Sequence, residues 1–505
     1  MKKIAFLILL IFIIAGCKKV FKDDTQNKMA INNPDDLSNA ITGLYYRFEN
    51  SVLGNGAGYG LSNYDIPFIN SDDVAIININ DWNYFCVDSC MCYQIFNPGQ
   101  SQINDDVKYF WLTLYQTVIS ANDIFGKSVK LNQSNIAVQQ MLGEVYFIRA
   151  YTYFRLVRLF GQVPVVLNTN VNYTLNKPSF TELYNFIISD LQMAMSLLPA
   201  NNSLARSKYV TPHRGTAKAL LAEVYLTMGG YPLKQTGMYT LAASTAKEVM
   251  DSASFFGYNL LPDIANLWNN RQELNNETVF AFYFNDMYSD ITNNLMHNIT
   301  WDYGNKIGIQ FYNNFTASYR KNMTYRTNIV ININTFLYYD TIRLPDSLIN
   351  LCTNVVFKKF YTPYTNLSYD DNLGRVVYLF RYARTLLTYA EAEARSGNID
   401  ASAYEAINQI RRRANKVDLF TPSKFDLQPG LSSAQFSDSV VWERALEFCG
   451  EPECRYFDLL RLEMLGQLPN LKYPGQGLNT EVFTNIQTHF FAIPEDDKQL
   501  NPKLN

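Results

Sequence analysis

Residues 440–461, VVWERALEFCGEPECRYFDLLR, set six charged side chains at helical spacing among large apolar ones, and no other stretch limits the fold as sharply. Glu443 and Glu447 stand four apart, and Arg455, Asp458 and Arg461 stand three apart, so each set lines one helix face. The same faces carry Trp442, Leu446, Phe457 and Leu459, which favour burial. Buried charge persists only when it is paired and hydrogen-bonded. Glu443, Arg444, Glu447, Arg455, Asp458 and Arg461 are therefore expected to form a structural ion-pair corner between two helices, broken at Gly450-Glu451-Pro452. A catalytic carboxylate pair of the glycosidase kind is the rival reading. Against it, every acid here has an arginine nearby, which keeps a carboxylate ionised and makes it a poor general acid.

The first residues set the compartment. Lys2 and Lys3 precede an apolar run at 4–14 and the sequence Ile14-Ala15-Gly16-Cys17. Residues 1–16 read as a secretory signal, since about a dozen apolar residues fall short of the ~20 that a membrane span needs. The segment resembles a bacterial lipoprotein signal, in which Cys17 becomes the acylated first residue and ties the body to a membrane leaflet. Residues 17–33, polar and rich in Lys, Asp and Asn, read as the lipid anchor and tether. The other cysteines stand at 86, 90, 92, 352, 449 and 454. In an exported chain Cys449 and Cys454 could staple the corner, and one of Cys86, Cys90 and Cys92 could close a loop. That trio fits no standard zinc spacing, and His213, His297 and His489 lie far from it, so neither metal nor cofactor is expected.

Nothing between 34 and 505 looks like a flexible linker, so a single large body is expected there. Charged residues make up 18% of the chain and the net charge is -3, which leaves no basic stripe for nucleic acid. Aromatic residues, with 35 Tyr and 33 Phe, are plentiful. Tyrosine and tryptophan present a flat apolar face with a polar tip, which suits a wet binding surface such as a sugar platform.

Helical periodicity dominates the body. Asn33-Pro34-Asp35-Asp36 is a helix start, followed by Leu37, Ala40, Ile41, Leu44, Tyr45 and Phe48 at helical period. A Gly-rich loop at 51–63 and an irregular stretch at 71–100 come next, the latter long enough to suggest function. Helices are then expected at 104–125, 135–160, 179–198, 211–228 and 239–250, and again at 382–396, 401–414 and from 437 onward. Small residues such as Gly143, Ala150, Ala217, Ala219 and Ala222 would let paired helices approach closely, as in tetratricopeptide-type packing. The expected fold is mainly α. A tetratricopeptide-like scaffold of helical hairpins at 34–259 and 375–505 carries an irregular, loop-rich insertion at 260–374, with short β-strands near 278–284, 328–333 and 355–360.

Several segments together resemble the SusD/RagB family of outer-membrane nutrient-binding lipoproteins. YFRLVRLFGQVP at 153–164 is similar to the family's helix ending in a Gly-x-x-Pro turn, and AKALLA at 217–222 to its alanine-rich helix. RYA at 381–383, YAEA at 389–392, Gly397 and INQIRRRA at 407–414 resemble its C-terminal hairpin. Glu443-Arg444, Glu447, Arg455, Asp458 and Arg461 match its charged corner, and Ile493-Pro494 with Asn501-Pro502 its ending. Two features depart from the pattern. The corner is one residue longer, with Pro452 where the family tends to have Gly, and the usual Gln-Asn-Pro-Gly-Tyr tail is missing. The resemblance implies a non-enzymatic surface protein that binds an oligosaccharide or peptide and passes it to a SusC-like TonB-dependent outer-membrane transporter.

Ligand residues do not transfer by motif, so they are read from chemistry. A sugar ring stacks on an exposed Trp or Tyr flanked by Asn or Asp. Trp82 and Tyr84 beside Asp81 and Asn83 meet that description, as do Trp301 and Tyr303 beside Asp302. Trp111, Trp268 and Trp442 are assigned to the core. Two other classes stay open: a lipid-anchored glycoside hydrolase using Asp72 and Asp73 or Glu443 and Glu447, and a repeat scaffold that binds only protein partners.

Overall fold

The computed structural model describes residues 30–54, 71–76, 101–169, 174–201, 205–206, 209–269, 274–283, 305–307, 309–332, 337–339, 354–357, 359, 376–451, 453–465 and 490–505. Its helices run in chain order as α1 (Pro34–Leu53), α2 (Ser101–Ser128), α3 (Ile136–Phe160), α4 (Phe180–Leu197), α5 (Arg214–Gly229) and α6 (Met238–Asp251). Short α7 (Ile309–Asn314) and α8 (Tyr319–Thr324) follow, then α9 (Tyr382–Ser396), α10 (Ala401–Ala414), α11 (Ser433–Glu447), α12 (Arg455–Arg461) and α13 (Glu495–Leu500).

Local chemistry sets most of the helix starts. The Asn33 side chain accepts the Asp36 N–H at the head of α1, with Pro34 in the first helical position. Ser179 and Glu182 form a capping box on α4, as do Ser432 and Gln435 on α11, and Asp400 caps α10. The helix expected from 211 begins at 214 because His213 is its cap, with Nδ1 accepting the Gly215 N–H at 3.1 Å.

Burial lowers the His213 pKa to about 4. In the folded chain the imidazole thus stays neutral between about pH 4 and its unfolded value of ~6.5, while the unfolded chain takes up a proton. The stabilisation is complete above ~6.5 and is lost as pH falls toward 4. Denaturant unfolding at pH 7 and pH 4.5 is expected to show a His213→Asn variant losing about 2–3 kcal/mol less than wild type between the two pH values. Equal losses in the two proteins would refute this.

Neighbouring helices pack in sequence: α1 on α2 and α3, α3 on α4, α4 on α5, α5 on α6, and α6 on α9, which also touches α10 and α11. Nearly every residue of α3 from 141 to 160 is buried, so it forms the axis of the array. At Gly143 an added Cβ would stand 3.0 Å from Leu198, so glycine is what lets the end of α4 close on α3. Three arginines, Arg149, Arg155 and Arg158, lie on this buried helix, and each has an acidic partner: Asp190 for the first and Glu453 for the other two.

Among the described residues the strands form three small antiparallel sheets. In the first, β2 (Ala205–Arg206), β3 (Tyr209–Val210), β4 (Thr278–Tyr283) and β9 (Val376–Arg381) lie in that order. The second pairs β1 (Val74–Ile76) with β5 (Asn305–Ile307), and the third has the order β7 (Leu337–Tyr339), β6 (Tyr325–Asn332), β8 (Asn354–Phe357).

Within the expected insertion at 260–374, β4 places Phe280 and Phe282 in the main core. Phe280 meets Phe147 at 4.9 Å, Tyr151 at 5.9 Å and Phe48 at 6.0 Å between ring centroids. Its partner β9, buried along its whole length, lies between the expected insertion and the expected helix at 382.

Candidate functional site

Where α11 ends at Glu447 and α12 begins at Arg455, the chain reverses through Gly450 (φ 76) and Glu453 (φ 64). A left-handed glutamate costs of the order of 1 kcal/mol, and it is held there because its carboxylate takes Arg155 Nε and Arg158 Nη2, each at 2.7 Å. The Arg158 guanidinium in turn lies 3.8 Å from the ring centroids of both Phe154 and Phe457.

Two buried networks fill the corner. In the first, Glu447 Oε1 accepts from Arg413 Nη2 at 2.7 Å and Arg381 Nη2 at 3.0 Å, and Oε2 accepts from Arg320 Nη1 at 3.0 Å. Arg381 and Arg413 also share Glu277. Arg381 forks onto Glu451 through Nε and Nη2 at 2.8 Å each, and Glu451 further takes Lys359 Nζ at 2.8 Å. Glu443 pairs with Arg320 at 2.7 Å. In the second network Arg444 forks onto Asp458 at 2.9 and 3.1 Å and reaches Glu223 at 3.1 Å. Arg461 meets both oxygens of Glu391 at 2.7 Å and Asp458 at 2.7 Å, and Arg384 joins Glu223 at 2.8 Å. Of the six corner residues singled out in the sequence, Arg444, Asp458 and Arg461 pair with one another, while Glu443 and Glu447 take arginines from other segments.

These contacts decide how the acids titrate. Burial alone would raise the Glu447 carboxyl, but Arg413, Arg381 and Arg320 outweigh it and hold the group well below the usual carboxylate range. Asp458 follows the same pattern, with burial opposed by Arg444 and Arg461. Glu447, shared by three guanidinium groups and held ionised, has no proton to give, which weighs against the catalytic-pair reading.

Asp72 and Asp73, the other candidate pair, are bound to the same corner. Arg455 grips Asp72 through Nε and Nη2, each at 2.6 Å. Asp73 Oδ2 accepts the Gly450 N–H at 2.9 Å, its other oxygen accepts from the Ser71 hydroxyl, and burial followed by the Asp72 charge raises its pKa. No bond joins Cys449 to Cys454. Both are buried free thiols, Cys449 Sγ lies 3.0 Å from the Tyr325 hydroxyl, and burial pushes the Cys454 thiol up to about 12. Salt bridges, not a staple, close this corner.

Asp73 leads directly into β1. That strand is antiparallel to β5 with Val74 opposite Ile307, Ala75 opposite Lys306 and Ile76 opposite Asn305. The chain to residues 77–100 and the chain from residues 284–304 therefore leave the same end of this two-stranded ladder. The sugar-platform candidates Asp81, Trp82, Asn83, Tyr84, Trp301, Asp302 and Tyr303 lie outside the described residues, and so does Cys17. Of the other tryptophans, Trp111 is buried 4.7 Å from Tyr115 and 5.0 Å from Phe160, Trp442 is half-buried 5.4 Å from Phe311, and Trp268 is half-buried 5.6 Å from Tyr378.

Sequence reasoning missed most of the partners. Glu277, Arg320, Lys359 and Arg381 in the first network, and Glu223, Arg384 and Glu391 in the second, come from segments with no common spacing. One signal was available: Arg411-Arg412-Arg413 at the end of α10 is a run of like charge whose last member, Arg413, is fully buried in the first network.

Residues 22–226 match a SusD-like family model described as starch-binding associating with outer membrane, and residues 277–504 match the model of the SusD family. SusD-like protein P2 of Formosa agariphila is 27% identical over 398 residues, covering 74% of this chain and 74% of its own. A SusD homolog from Bacteroides thetaiotaomicron superposes with a TM-score of 0.74 at 22% identity, over 97% of this chain and 99% of that one. A laminarin-binding SusD-like protein superposes with a TM-score of 0.68 at 19% identity, over 92% and 97% of the two chains.

Proposed function

Because this chain belongs to the SusD/RagB family, we propose that it is a cell-surface lipoprotein that captures an oligosaccharide and delivers it to a SusC-like TonB-dependent outer-membrane transporter. The observation that carries the reading is the β1–β5 ladder. It starts the two aromatic, Asn- and Asp-bearing segments from one point, which a two-sided sugar platform requires. The family description as starch-binding and the laminarin-binding relative support a glycan over a peptide. In this proposal Trp82 and Trp301 stack on the sugar, Tyr84 and Tyr303 flank it, and Asp81, Asn83 and Asp302 accept or donate to its hydroxyls. The lipid on Cys17 holds the body at the outer membrane by way of the tether at 17–33, and no helix among the described residues is long and apolar enough to cross a membrane.

One experiment tests these assignments together. Soluble starch and laminarin are titrated against intact cells and against purified protein for wild type, Trp82→Ala, Trp301→Ala and Cys17→Ala. Each tryptophan variant is expected to weaken binding by about five- to tenfold, roughly 1 kcal/mol of lost stacking. Cys17→Ala should strip binding from the cells while the released protein keeps its affinity. Unchanged affinity in both tryptophan variants removes those residues from the site. Binding of peptides in place of both polysaccharides would move the ligand class.

A further inference from the structure

Arg455 reaches residues that flank the β1–β5 ladder on both strands' sides. Its fork holds Asp72, two residues before Val74, and its guanidinium stands 5.9 Å from the ring centroid of Phe311, four residues after Ile307. Since Val74 and Ile307 are paired, both contacts lie beyond the same end of the ladder, while Ile76 and Asn305 mark the other end. A second grip is independent of Arg455, because the Gly450 N–H binds Asp73. Phe311 is fixed in turn by Trp442 on α11 at 5.4 Å and by Phe315 at 6.2 Å, and Phe315 meets Tyr325 at 5.5 Å, whose hydroxyl contacts Cys449.

These contacts from Cys449, Gly450 and Arg455 lie at the base of a ladder of three residue pairs. A two-stranded ribbon this short has little stability of its own in water. Its register must come from what holds its base. A buried bidentate arginine–aspartate pair is directional, so it fixes the angle at which β1 leaves the body as well as its position.

We infer that Arg455 and Asp72, with Gly450 and Asp73, are positioning residues for ligand binding: the ion-pair corner clamps the base of the β1–β5 ladder and so fixes where the two ligand-bearing segments depart. This rests on the proposed function for the word ligand, while the clamp itself stands on the described contacts alone. The corner then has two roles, closing the helical array and aiming the ladder, and Arg455 is the residue that separates them, because its charge partner is on the ladder side and not on a helix.

Hydrogen–deuterium exchange of the full-length protein tests the clamp without any ligand. In Asp72→Asn and Arg455→Lys, amides of Val74–Ile76 and Asn305–Ile307 are expected to exchange at least about tenfold faster, with α9 and α11 unchanged. Arg455→Lys keeps the charge and loses only the fork, so it decides the matter if Asp72→Asn does not fold. The same variants should bind whichever of starch or laminarin wild type binds about tenfold more weakly. Unchanged exchange in both strands, equal acceleration in α9 and α11, or faster strand exchange at unaltered affinity would each overturn the inference. Loss of binding in Trp82→Ala and Trp301→Ala judges the function separately, because those variants leave the clamp intact.

Discussion

Replacing Glu447 with Ala should lower the free energy of unfolding by about 3–5 kcal/mol, measured by denaturant unfolding near neutral pH. The substitution leaves Arg413, Arg381 and Arg320 facing one another in a buried space with their shared acceptor gone. Glu277 and Glu451 still hold Arg381, and Glu443 still holds Arg320, so the network retains acceptors but carries one positive charge too many. The size of the effect comes from that uncompensated charge and not from the worth of any one salt bridge, which desolvation largely offsets. The exposed pair Lys247–Asp251 is the natural control, with an expected loss below about 0.5 kcal/mol when Asp251 becomes Ala. If Glu447→Ala costs less than about 1 kcal/mol, water reaches the network and the corner is not the closed structure described here.

Phe280→Ala is expected to cost a similar amount, about 3–5 kcal/mol, for a different reason. The ring is enclosed by Phe48, Phe147 and Tyr151 from α1 and α3, which are themselves fully buried. Truncation removes apolar area and leaves a cavity whose walls are two rigid helices and a strand with bulged register on either side of the residue. A thermal melt would show the loss as a fall in Tm without broadening if the molecule unfolds as one unit. A cost under about 2 kcal/mol would mean that β4 moves in to fill the space.

The sequence spoke clearly wherever the determinants were local. The α9 and α10 boundaries at 382–396 and 401–414 were legible from apolar period and from Gly397 as a stop. Strand β9 was not, because Val376-Val377-Tyr378-Leu379-Phe380 is a continuous apolar run with no alternation, and such a run does not distinguish strand from helix. In the corner, Glu443, Arg444, Glu447, Arg455, Asp458 and Arg461 declared themselves by spacing. Their partners did not: Glu277 precedes a strand, Arg381 ends one, and Glu223 and Glu391 sit in alanine-rich helices that read as plain packing. The staple suggested by Cys449 and Cys454 failed because spacing reports how near two thiols are along the chain and not how the turn through Gly450 and Glu453 aims them. Asp72 and Asp73 looked like an acid pair in a loop and are tied instead to Arg455 and Gly450.

The geometry of the corner also bears on the order in which the molecule can be completed. Arg455 and Asp72 are 383 residues apart in the chain, Arg155 and Glu453 are 298 apart, and Arg444 and Glu223 are 221 apart. Helices α1 to α6 can pair with their neighbours as they emerge, but Asp72, Arg155, Arg158 and Glu223 have no countercharge from 444–461 until almost the whole chain has been made. The last helices therefore act as a keystone, and an incomplete chain holds its N-terminal charges in water, where they oppose premature closure of the core.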